Sequence, residues 1–250
     1  MQKIDKELIT KRFRESLKNY DFSAQVQKVM AFELVKQLNE TNSSFEKVFE
    51  IGCGTGILTR KIFKDLNLNE LFCNDLFMES YDFIKSSCKS DHFSTFDGEK
   101  TENYQKNLDL IISNAVFQWF DDLPGFLNSV FDKLKNNGLI AFSTFGQDQY
   151  LEIREITGNC LKYYTKKELL EFISEKYELL FFREWKEVLN FNSVKEIMSH
   201  IKATGVSGVG LKTTKKMPLT EFRKKYREKF LKNGVLPLTY NPQIWILRRK

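Results

Sequence analysis

The most informative segment of the chain is Val48-Phe-Glu-Ile-Gly-Cys-Gly-Thr-Gly56. A short apolar run leads into three glycines at alternate positions, and a helical pattern over residues 57–66 begins immediately afterwards. Glycine lets the chain turn sharply and lets a ligand approach the backbone closely. The segment therefore predicts a buried strand that runs into a tight turn and a helix, with room for a ligand at the turn.

Strand and helix patterns continue to alternate beyond this segment. Further strands are predicted at residues 70–74, 92–96, 108–112 and 138–145, with helices at 77–88 and 123–135. This alternation predicts an α/β fold with a parallel sheet and helices on both faces. Outside it, helices are predicted at residues 3–19, 23–39, 148–156, 165–175, 193–203 and 219–232, an extended segment at 177–191 and a last strand at 243–248.

Composition narrows the class of protein. The chain has 250 residues, of which 42% are hydrophobic and 29% charged, as expected of a folded globular protein. A net charge of +6 is too small to name nucleic acid as the partner. The 4 cysteines form no CxxC pair and there are only 2 histidines, which argues against a metal site and indicates a reducing compartment, the cytoplasm. No signal peptide and no apolar run of ~18 residues is visible, so we predict no membrane association.

Two carboxylates near the glycines indicate which ligand binds there. Asp75 lies about 19 residues after Gly56 at the end of the next predicted strand, where nucleotide-binding folds place an acid that accepts the ribose hydroxyls. The alternative role for Asp75 is to cap a helix. Glu50 would repel a pyrophosphate but favours a cation. S-adenosylmethionine carries a sulfonium and an ammonium group and no phosphate, so Glu50 favours it over a dinucleotide.

With these motifs the chain resembles the class I S-adenosylmethionine-dependent methyltransferases over roughly residues 45–147. The resemblance implies a Rossmann-like sheet of seven strands whose last strand, here around Ile244–Leu247, is antiparallel. It also implies three regions, namely N-terminal helices at 1–40, a cofactor-binding core at 41–146 and substrate-side elements at 147–250 that complete the same domain. The implied cofactor-binding residues are Glu50, Gly52, Cys53, Gly54, Gly56, Asp75, Leu76, Asp97, Gly98 and Asn114.

A narrower resemblance comes from Ser113-Asn-Ala-Val-Phe-Gln-Trp119, which follows the fourth predicted strand. This segment is similar to the malonyl-acyl-carrier-protein O-methyltransferases of biotin synthesis. Other segments agree with that family: Ala24-Gln25-Val-Gln27, Phe142-Ser-Thr-Phe145, Leu151-Glu-Ile-Arg154, Ile201-Lys-Ala-Thr-Gly205 and Leu236-Pro-Leu-Thr-Tyr240. The resemblance implies methyl transfer to the free carboxyl group of a malonyl thioester, carried on acyl-carrier protein or on coenzyme A.

The resemblance also suggests substrate-side residues. Tyr20 stands at the joint of two N-terminal helices that, with a helical insertion, form a lid over the donor pocket in this family. Arg154 could grip a carboxylate with two hydrogen bonds. Gln118 and Trp119 follow the fourth strand, where ligands of such sheets bind. A malonyl carboxylate is already ionised at neutral pH, so we predict no catalytic base. His92 and His200 are interpreted as structural.

The helix at 219–232 carries many cations, among them Arg223, Lys224, Arg227 and Lys229. They could form a solvated surface or a docking site for an acidic carrier protein. Two other functions stay open at this point. One is a methyltransferase for another small carboxylate or a quinone precursor. The other is a nucleic-acid binding or modifying protein that uses this basic helix, which a steep dependence of binding on salt would reveal.

Overall fold

The glycine-rich segment follows a buried strand, β1 (Ser44–Ile51), in the computed structural model of the protein, which describes residues 4–158, 161–205 and 217–250. The last four residues of β1 are all buried. The strand pairs in parallel with β2 (Asn67–Asp75) on one edge and β4 (Leu108–Asn114) on the other. A parallel strand with two neighbours is covered on both faces, which explains the continuous apolar run.

The remaining elements have the following bounds. The other strands are β3 (Phe93–Thr95), β5 (Leu134–Phe145), β6 (Tyr177–Glu184), β7 (Glu187–Phe191), β8 (Leu236–Tyr240) and β9 (Pro242–Arg249). The helices are α1 (Lys6–Ser23), α2 (Gln25–Thr41), α3 (Ile57–Asp65), α4 (Tyr81–Ile84), α5 (Leu123–Val130), α6 (Leu151–Thr157), α7 (Lys166–Ile173), α8 (Val194–Ala203) and α9 (Leu219–Phe230). Short 3₁₀ turns lie at Met78–Ser80, Ser90–His92, Thr101–Asn103, Phe117–Trp119 and Phe131–Lys133.

Seven strands form one sheet in the order β3-β2-β1-β4-β5-β9-β6. The pairs from β3 through β5 are parallel, and the last strands of the sheet are antiparallel. The predicted methyltransferase-type sheet is therefore confirmed. The strand order reverses between β1 and β4, and ligands of open α/β sheets bind at the carboxyl ends of the strands at such a reversal.

Two sequence-based assignments differ from the structure. The predicted helix at 77–88 is only a 3₁₀ turn followed by the four-residue α4. The predicted single extended segment at 177–191 is two strands in different sheets, because β7 pairs antiparallel with β8. Only Trp185 and Lys186 separate the two strands, and neither is a glycine or proline, so the sequence alone could not show that the partner changes.

The chain divides into two compact units. The sheet unit comprises Gln27–Thr144, Tyr164–Arg183 and Gln243–Lys250. Its core is aromatic: Phe117 packs on Phe142 at 4.8 Å between ring centroids, and Phe142 stacks on Trp245 at 5.9 Å. All three side chains are at most 1% exposed.

The two-strand unit comprises Met1–Val26, Phe145–Tyr163 and Glu184–Pro242. In it α1 packs on α8, and α6 packs on α9 and β8. Helix α9 buries Phe222 and Tyr226, and the Tyr226 hydroxyl donates to the Pro237 carbonyl at 2.6 Å. The three-region division and the lid that the sequence suggested stay predictions. Among the described helices, none combines the length and apolar character that a membrane span requires.

Candidate active site

The glycine loop begins where β1 ends. Gly52 and Gly54 have φ values of +66° and +52°, in the left-handed region that favours glycine. A Cβ atom at Gly52 would lie 2.6 Å from Val116 Cγ2, so this glycine is needed for packing. A Cβ atom at Gly54 would meet no atom of the described residues within 4 Å. Gly54 therefore borders open space, as expected of a glycine that a ligand approaches.

Asp75, the last residue of β2, lies directly beside this loop. Its Oδ2 accepts a hydrogen bond from the Gly54 amide at 2.7 Å, and its Oδ1 accepts one from the Leu76 amide at 2.7 Å. Burial raises the pKa of Asp75 to about 6. A carboxylate oxygen can accept more than one hydrogen bond, so Asp75 both shapes the loop and keeps acceptor capacity for ligand hydroxyls. The next side chain, Leu76, is 37% exposed and offers an apolar surface there.

Glu50 is the second buried carboxylate of the loop. Its side chain is 1% exposed, and Oε2 accepts a weak hydrogen bond from Cys73 Sγ at 3.7 Å. Oε1 has no hydrogen-bond partner among the residues that the structure describes. Burial raises the pKa of Glu50 to about 7. A buried acceptor without a donor is costly in isolation, so Glu50 fits a ligand that brings a donor or a positive charge.

Asn74 holds the loop in place, a role that the sequence did not reveal. Its Oδ1 accepts from the Gly52 amide at 3.2 Å, and its Nδ2 donates to the Phe96 carbonyl at 3.0 Å. This bridge brings Asp97 and Gly98, two of the implied cofactor-binding residues, to the same end of the sheet. There Asp97 Oδ1 accepts from the Glu99 amide at 3.1 Å, in a tight turn. A Cβ atom at Gly98 would lie 2.6 Å from Ile51 Cγ2, so only glycine fits beside β1.

The residues that follow β4 form the other side of the candidate site. Asn114 uses its whole side-chain amide for internal contacts: Nδ2 donates to the Gln27 carbonyl at 3.1 Å, and Oδ1 accepts from the Ser143 hydroxyl at 2.6 Å. Gln118 donates through Nε2 to the Ala115 carbonyl at 2.6 Å. Ala115 has a φ of +56°, a strained value for a residue with a side chain.

Two unpaired amide oxygens point to a ligand at this place. Gln118 is 9% exposed and Gln27 is 4% exposed, and the Oε1 atom of each lacks a hydrogen-bond partner within the described ranges. Gln27 was absent from the predicted site. The available signal was a polar side chain on the buried face of α2, between Val26 and Met30. Together with Glu50, these oxygens would suit the ammonium and sulfonium groups of S-adenosylmethionine.

Two other predicted residues near these strands are buried. Trp119 is 7% exposed and Cys53 is 5% exposed. Burial, with Asp75 and Glu50 adding to it, raises the pKa of the Cys53 thiol well above its ordinary value. A neutral thiol is a poor nucleophile, so we expect Cys53, one of the implied cofactor-binding residues, to serve as a small side chain and not as a nucleophile. Across the described ranges, no group of three or more His, Cys, Asp or Glu side chains could hold a metal.

The other two predicted substrate residues lie in the two-strand unit. Tyr20, near the end of α1, is partly exposed, and its ring lies 6.0 Å from that of Phe13. The Arg154 guanidinium donates to the Gln147 carbonyl and pairs with Asp148 at 3.2 Å. Asp148 also pairs with Lys186 at 2.7 Å, and this contact holds the pKa of Asp148 below its ordinary value. Arg154 would therefore have to break its ion pair with Asp148 in order to bind a substrate carboxylate.

The predicted docking helix is α9. Phe222 and Tyr226 bury its inner side, and the four predicted cations lie on its exposed surface. Lys224 pairs with Glu228 at 3.8 Å on the same helix, and Lys229 pairs with Glu155 at 2.6 Å. Arg223 and Arg227 are one helical turn apart and make no ion pair among the described residues.

The chain is similar in sequence to known methyltransferases. A family model described as a methyltransferase domain matches residues 22–199. The malonyl-acyl-carrier protein O-methyltransferase of Calditerrivibrio nitroreducens is 34% identical over 237 residues, which cover 92% of this chain and 91% of that protein. The protein of the same name from Prosthecochloris aestuarii is 32% identical over 256 residues, which cover 100% of this chain and 96% of that protein.

A solved structure supports the fold. It is that of the N-methyltransferase NodS from Bradyrhizobium japonicum in complex with S-adenosyl-L-homocysteine. The two chains are 11% identical, and the match covers 91% of this chain and 87% of NodS with a TM-score of 0.53. At that identity the likeness concerns the fold alone.

Proposed function

Since the chain belongs to the family of malonyl-acyl-carrier protein O-methyltransferases, we propose that it uses S-adenosylmethionine to methylate the free carboxyl group of malonyl-acyl-carrier protein. The observation that carries the proposal is similarity along almost the whole chain, which includes the two-strand unit as well as the sheet unit. The product would be a malonyl methyl ester, and the resemblance implies an early step of biotin synthesis. The cytoplasmic location and the absence of nucleic-acid and membrane partners stay predictions.

The geometry of the sheet unit supports the proposal that it binds S-adenosylmethionine as the methyl donor. Open space at Gly54 lies beside the Asp75 carboxylate, which would accept ribose hydroxyls. Glu50, Gln27 and Gln118 each present a buried oxygen without a partner in the described part of the chain. These acceptors would hold the positive end of the ligand. When bound, S-adenosylmethionine supplies a methyl group on a sulfonium, which an in-line nucleophile can take.

The mechanism that we propose needs orientation more than acid–base chemistry. A malonyl carboxylate is ionised at neutral pH, so no residue has to remove a proton from it. With the methyl donor bound, a carboxylate oxygen would form the new bond to the methyl carbon while the carbon–sulfur bond breaks, and its electron pair would stay on sulfur. Correct alignment of two bound reactants can contribute about 7–11 kcal/mol. The residues of this chain therefore act by binding and orienting both reactants.

We also propose that α9 binds the carrier protein. Its exposed surface carries the four predicted cations, and of these Arg223 and Arg227 are not engaged in ion pairs within the described residues. Guanidinium groups one turn apart suit the carboxylates of an acidic protein. The resemblance implies a carrier-bound substrate, and the exposed cations of this helix match an acidic partner by charge.

A direct assay tests the proposed reaction. Purified protein is incubated with S-adenosylmethionine and malonyl-acyl-carrier protein, and intact-protein mass spectrometry follows the carrier. We expect the malonyl form to gain one methyl group and acetyl-acyl-carrier protein, which lacks the carboxyl group, to remain unchanged. Malonyl-coenzyme A in a parallel assay measures whether the carrier is needed. Binding of S-adenosylmethionine without methylation of either thioester would instead favour another small carboxylate or a quinone precursor as substrate.

A further inference from the structure

Two free cysteines of the sheet unit, Cys73 and Cys88, are buried against the same strand. Cys73 belongs to β2, and Cys88 follows the end of α4. The Cys88 thiol donates to the carbonyl of Leu71, two residues before Cys73, at 3.5 Å. Cys73 is hydrogen-bonded to Cys88 as well as to Glu50. We call Cys73 and Cys88 the thiol pair.

The members of the thiol pair differ in reactivity. Burial raises the pKa of Cys73 well above its ordinary value, whereas the hydrogen bond from Cys73 lowers the pKa of Cys88. The thiolate is the form of cysteine that attacks an oxidant. Redox-sensing cysteines combine such an acidic thiol with a second cysteine that resolves the oxidised sulfur. Cys88 therefore suits the first role and Cys73 the second.

A cavity of about 270 Å³ gives a route to the thiol pair. Its lining includes Cys88 together with Phe63, Lys85 and Lys89. A water molecule takes up about 30 Å³ in the liquid, so a molecule as small as hydrogen peroxide fits into this space. Cys73 is 0% exposed. An oxidant that enters the cavity should therefore meet Cys88 first.

The elements that carry the thiol pair both contact the candidate active site. In β2, Cys73 Sγ donates to Glu50 Oε2 at 3.7 Å, and Cys73 lies two residues before Asp75. Helix α4 packs against the glycine loop, since a Cβ atom at Gly56 would lie 2.8 Å from Ile84 Cγ2. The two sulfurs of a disulfide are only about 2.05 Å apart, which is closer than a hydrogen bond allows. Formation of a disulfide must therefore move at least one of these two elements and remove the thiol proton that Glu50 accepts.

From these observations we infer that Cys88 is an oxidation site for hydrogen peroxide, that Cys73 resolves it as a disulfide, and that the disulfide weakens cofactor binding. The Cys88 sulfur attacks one peroxide oxygen, the oxygen–oxygen bond breaks, and one water leaves. The Cys73 sulfur then attacks the resulting sulfenic acid, and its hydroxyl leaves with the Cys73 proton as a second water. Two electrons pass from the thiols to the peroxide. The effect on S-adenosylmethionine rests on the proposed function, whereas the disulfide itself does not.

The chemical step is tested on the reduced wild-type chain with hydrogen peroxide. Trypsin cleaves after Lys64, Lys85 and Lys89, so the disulfide would join peptide 65–85 to peptide 86–89. We expect mass spectrometry of the non-reduced digest to show this linked pair, and dithiothreitol to separate it. A peroxide-treated chain without the linked pair would overturn the inference.

Calorimetry before and after oxidation measures the effect on the cofactor. Couplings between sites typically change affinity about 5- to 150-fold, so the affinity for S-adenosylmethionine should fall at least about fivefold and return with dithiothreitol. Coupling is reciprocal, so saturating S-adenosylmethionine should shift the thiol pair toward the reduced form by the same factor in a glutathione buffer. Unchanged affinity in a fully linked preparation would overturn the coupling.

Cys88→Ser is the matched control, because it keeps a donor for the Leu71 carbonyl and leaves Cys53, Cys73 and Cys160 in the chain. It should bind S-adenosylmethionine like the reduced wild type, and peroxide should not change its affinity. Cys88→Ala makes the same test if the serine variant does not fold. A fall in affinity of these variants with peroxide would assign the effect to another residue and overturn the inference. A reduced wild-type chain that does not bind S-adenosylmethionine would overturn the proposed function and the coupling, and the linked peptides would still decide the oxidation site.

Discussion

The glycine loop of the sheet unit and the hydrogen-bonded side chains of Tyr150, Tyr240 and His200 in the two-strand unit differ in how their residues are brought together. Gly54 and Asp75 lie at the ends of adjacent strands, and a short motif with fixed spacing reveals them. Tyr150, Tyr240 and His200 come from three separate elements and share no motif. Contacts made at the ends of adjacent strands can be recognised from sequence spacing, whereas contacts between distant elements depend on tertiary packing.

The largest expected effect is in the sheet unit. Asp75→Ala removes the acceptor for the Gly54 and Leu76 amides together with that for the ribose. With each charge-assisted hydrogen bond contributing about 1.5–3 kcal/mol, the affinity for S-adenosylmethionine should fall at least about 100-fold in calorimetry. Asp82→Asn, which alters an exposed ion pair with Lys85, is the control and should leave affinity unchanged. A loss of stability at wild-type affinity would instead mean that Asp75 only caps the following turn.

Two buried glutamates, one in each unit, give the second test. Glu50 has an unpaired oxygen and a pKa of about 7, against an ordinary value of 4.5. The folded chain therefore holds an extra proton between these pH values, and stability falls as pH rises through them. Glu50→Gln should raise the free energy of unfolding of the ligand-free protein by up to about 3 kcal/mol at pH 8 and by almost nothing below pH 4.5, measured by urea denaturation.

Glu152→Gln should lower the free energy of unfolding, whereas Glu50→Gln should raise it. Both oxygens of Glu152 accept from Thr239, one from its amide at 2.9 Å and one from its hydroxyl at 2.5 Å. A glutamine could keep both contacts only with its Nε2 donating to the Thr239 hydroxyl, and it would lose the charged acceptor, so it should cost about 1–2 kcal/mol. Only Glu50→Gln should weaken binding of the cationic cofactor, and wild-type affinity should fall as pH drops below 7. Stabilisation by both variants, or by neither, would contradict this assignment.

Substitutions at two glycines with similar backbone conformations should have smaller effects, and they compare one position next to the proposed ligand site with one outside it. Gly54 and Gly158 both have positive φ values, 52° and 70°, and a Cβ atom at either would meet no atom within 4 Å in the part of the chain that the structure describes. Alanine should cost each roughly 1–2 kcal/mol of stability through backbone strain alone. Gly54→Ala should in addition weaken S-adenosylmethionine binding about tenfold, whereas Gly158→Ala should bind it normally. Equal affinity in the two variants would show that the space at Gly54 is not occupied by the ligand.

Features with a sequence pattern could be predicted, and features that depend on contacts between distant residues could not. The sheet could be derived from apolar runs and glycine turns, and Glu50 and Asp75 were found by their distance from the glycines. Asn74 and Gln27 were missed because amide side chains carry no spacing signal, and their roles depend on contacts with Phe96 and Asn114. The change of strand partner between β6 and β7 was missed because it depends on which distant strand each of them pairs with. His200 was interpreted as structural, since no sequence pattern places it beside Tyr240.

The smallest expected effect concerns α9 and tests whether the two-strand unit also recognises the carrier. Reversing Arg223 and Arg227 to Glu should raise KM for malonyl-acyl-carrier protein several-fold, because both cations are exposed and are not held by ion pairs within the described part of the chain. The increase should shrink as salt rises, since exposed charges are screened over about 8–10 Å.

Reversing Lys225, which already pairs with Glu221 at 2.7 Å, provides a control on the same helix that also changes charge. Malonyl-coenzyme A, if accepted, should show no change in KM. An equal rise for both thioesters would mean that α9 supports the fold or the substrate site, and no rise for either would make it an ordinary solvated surface.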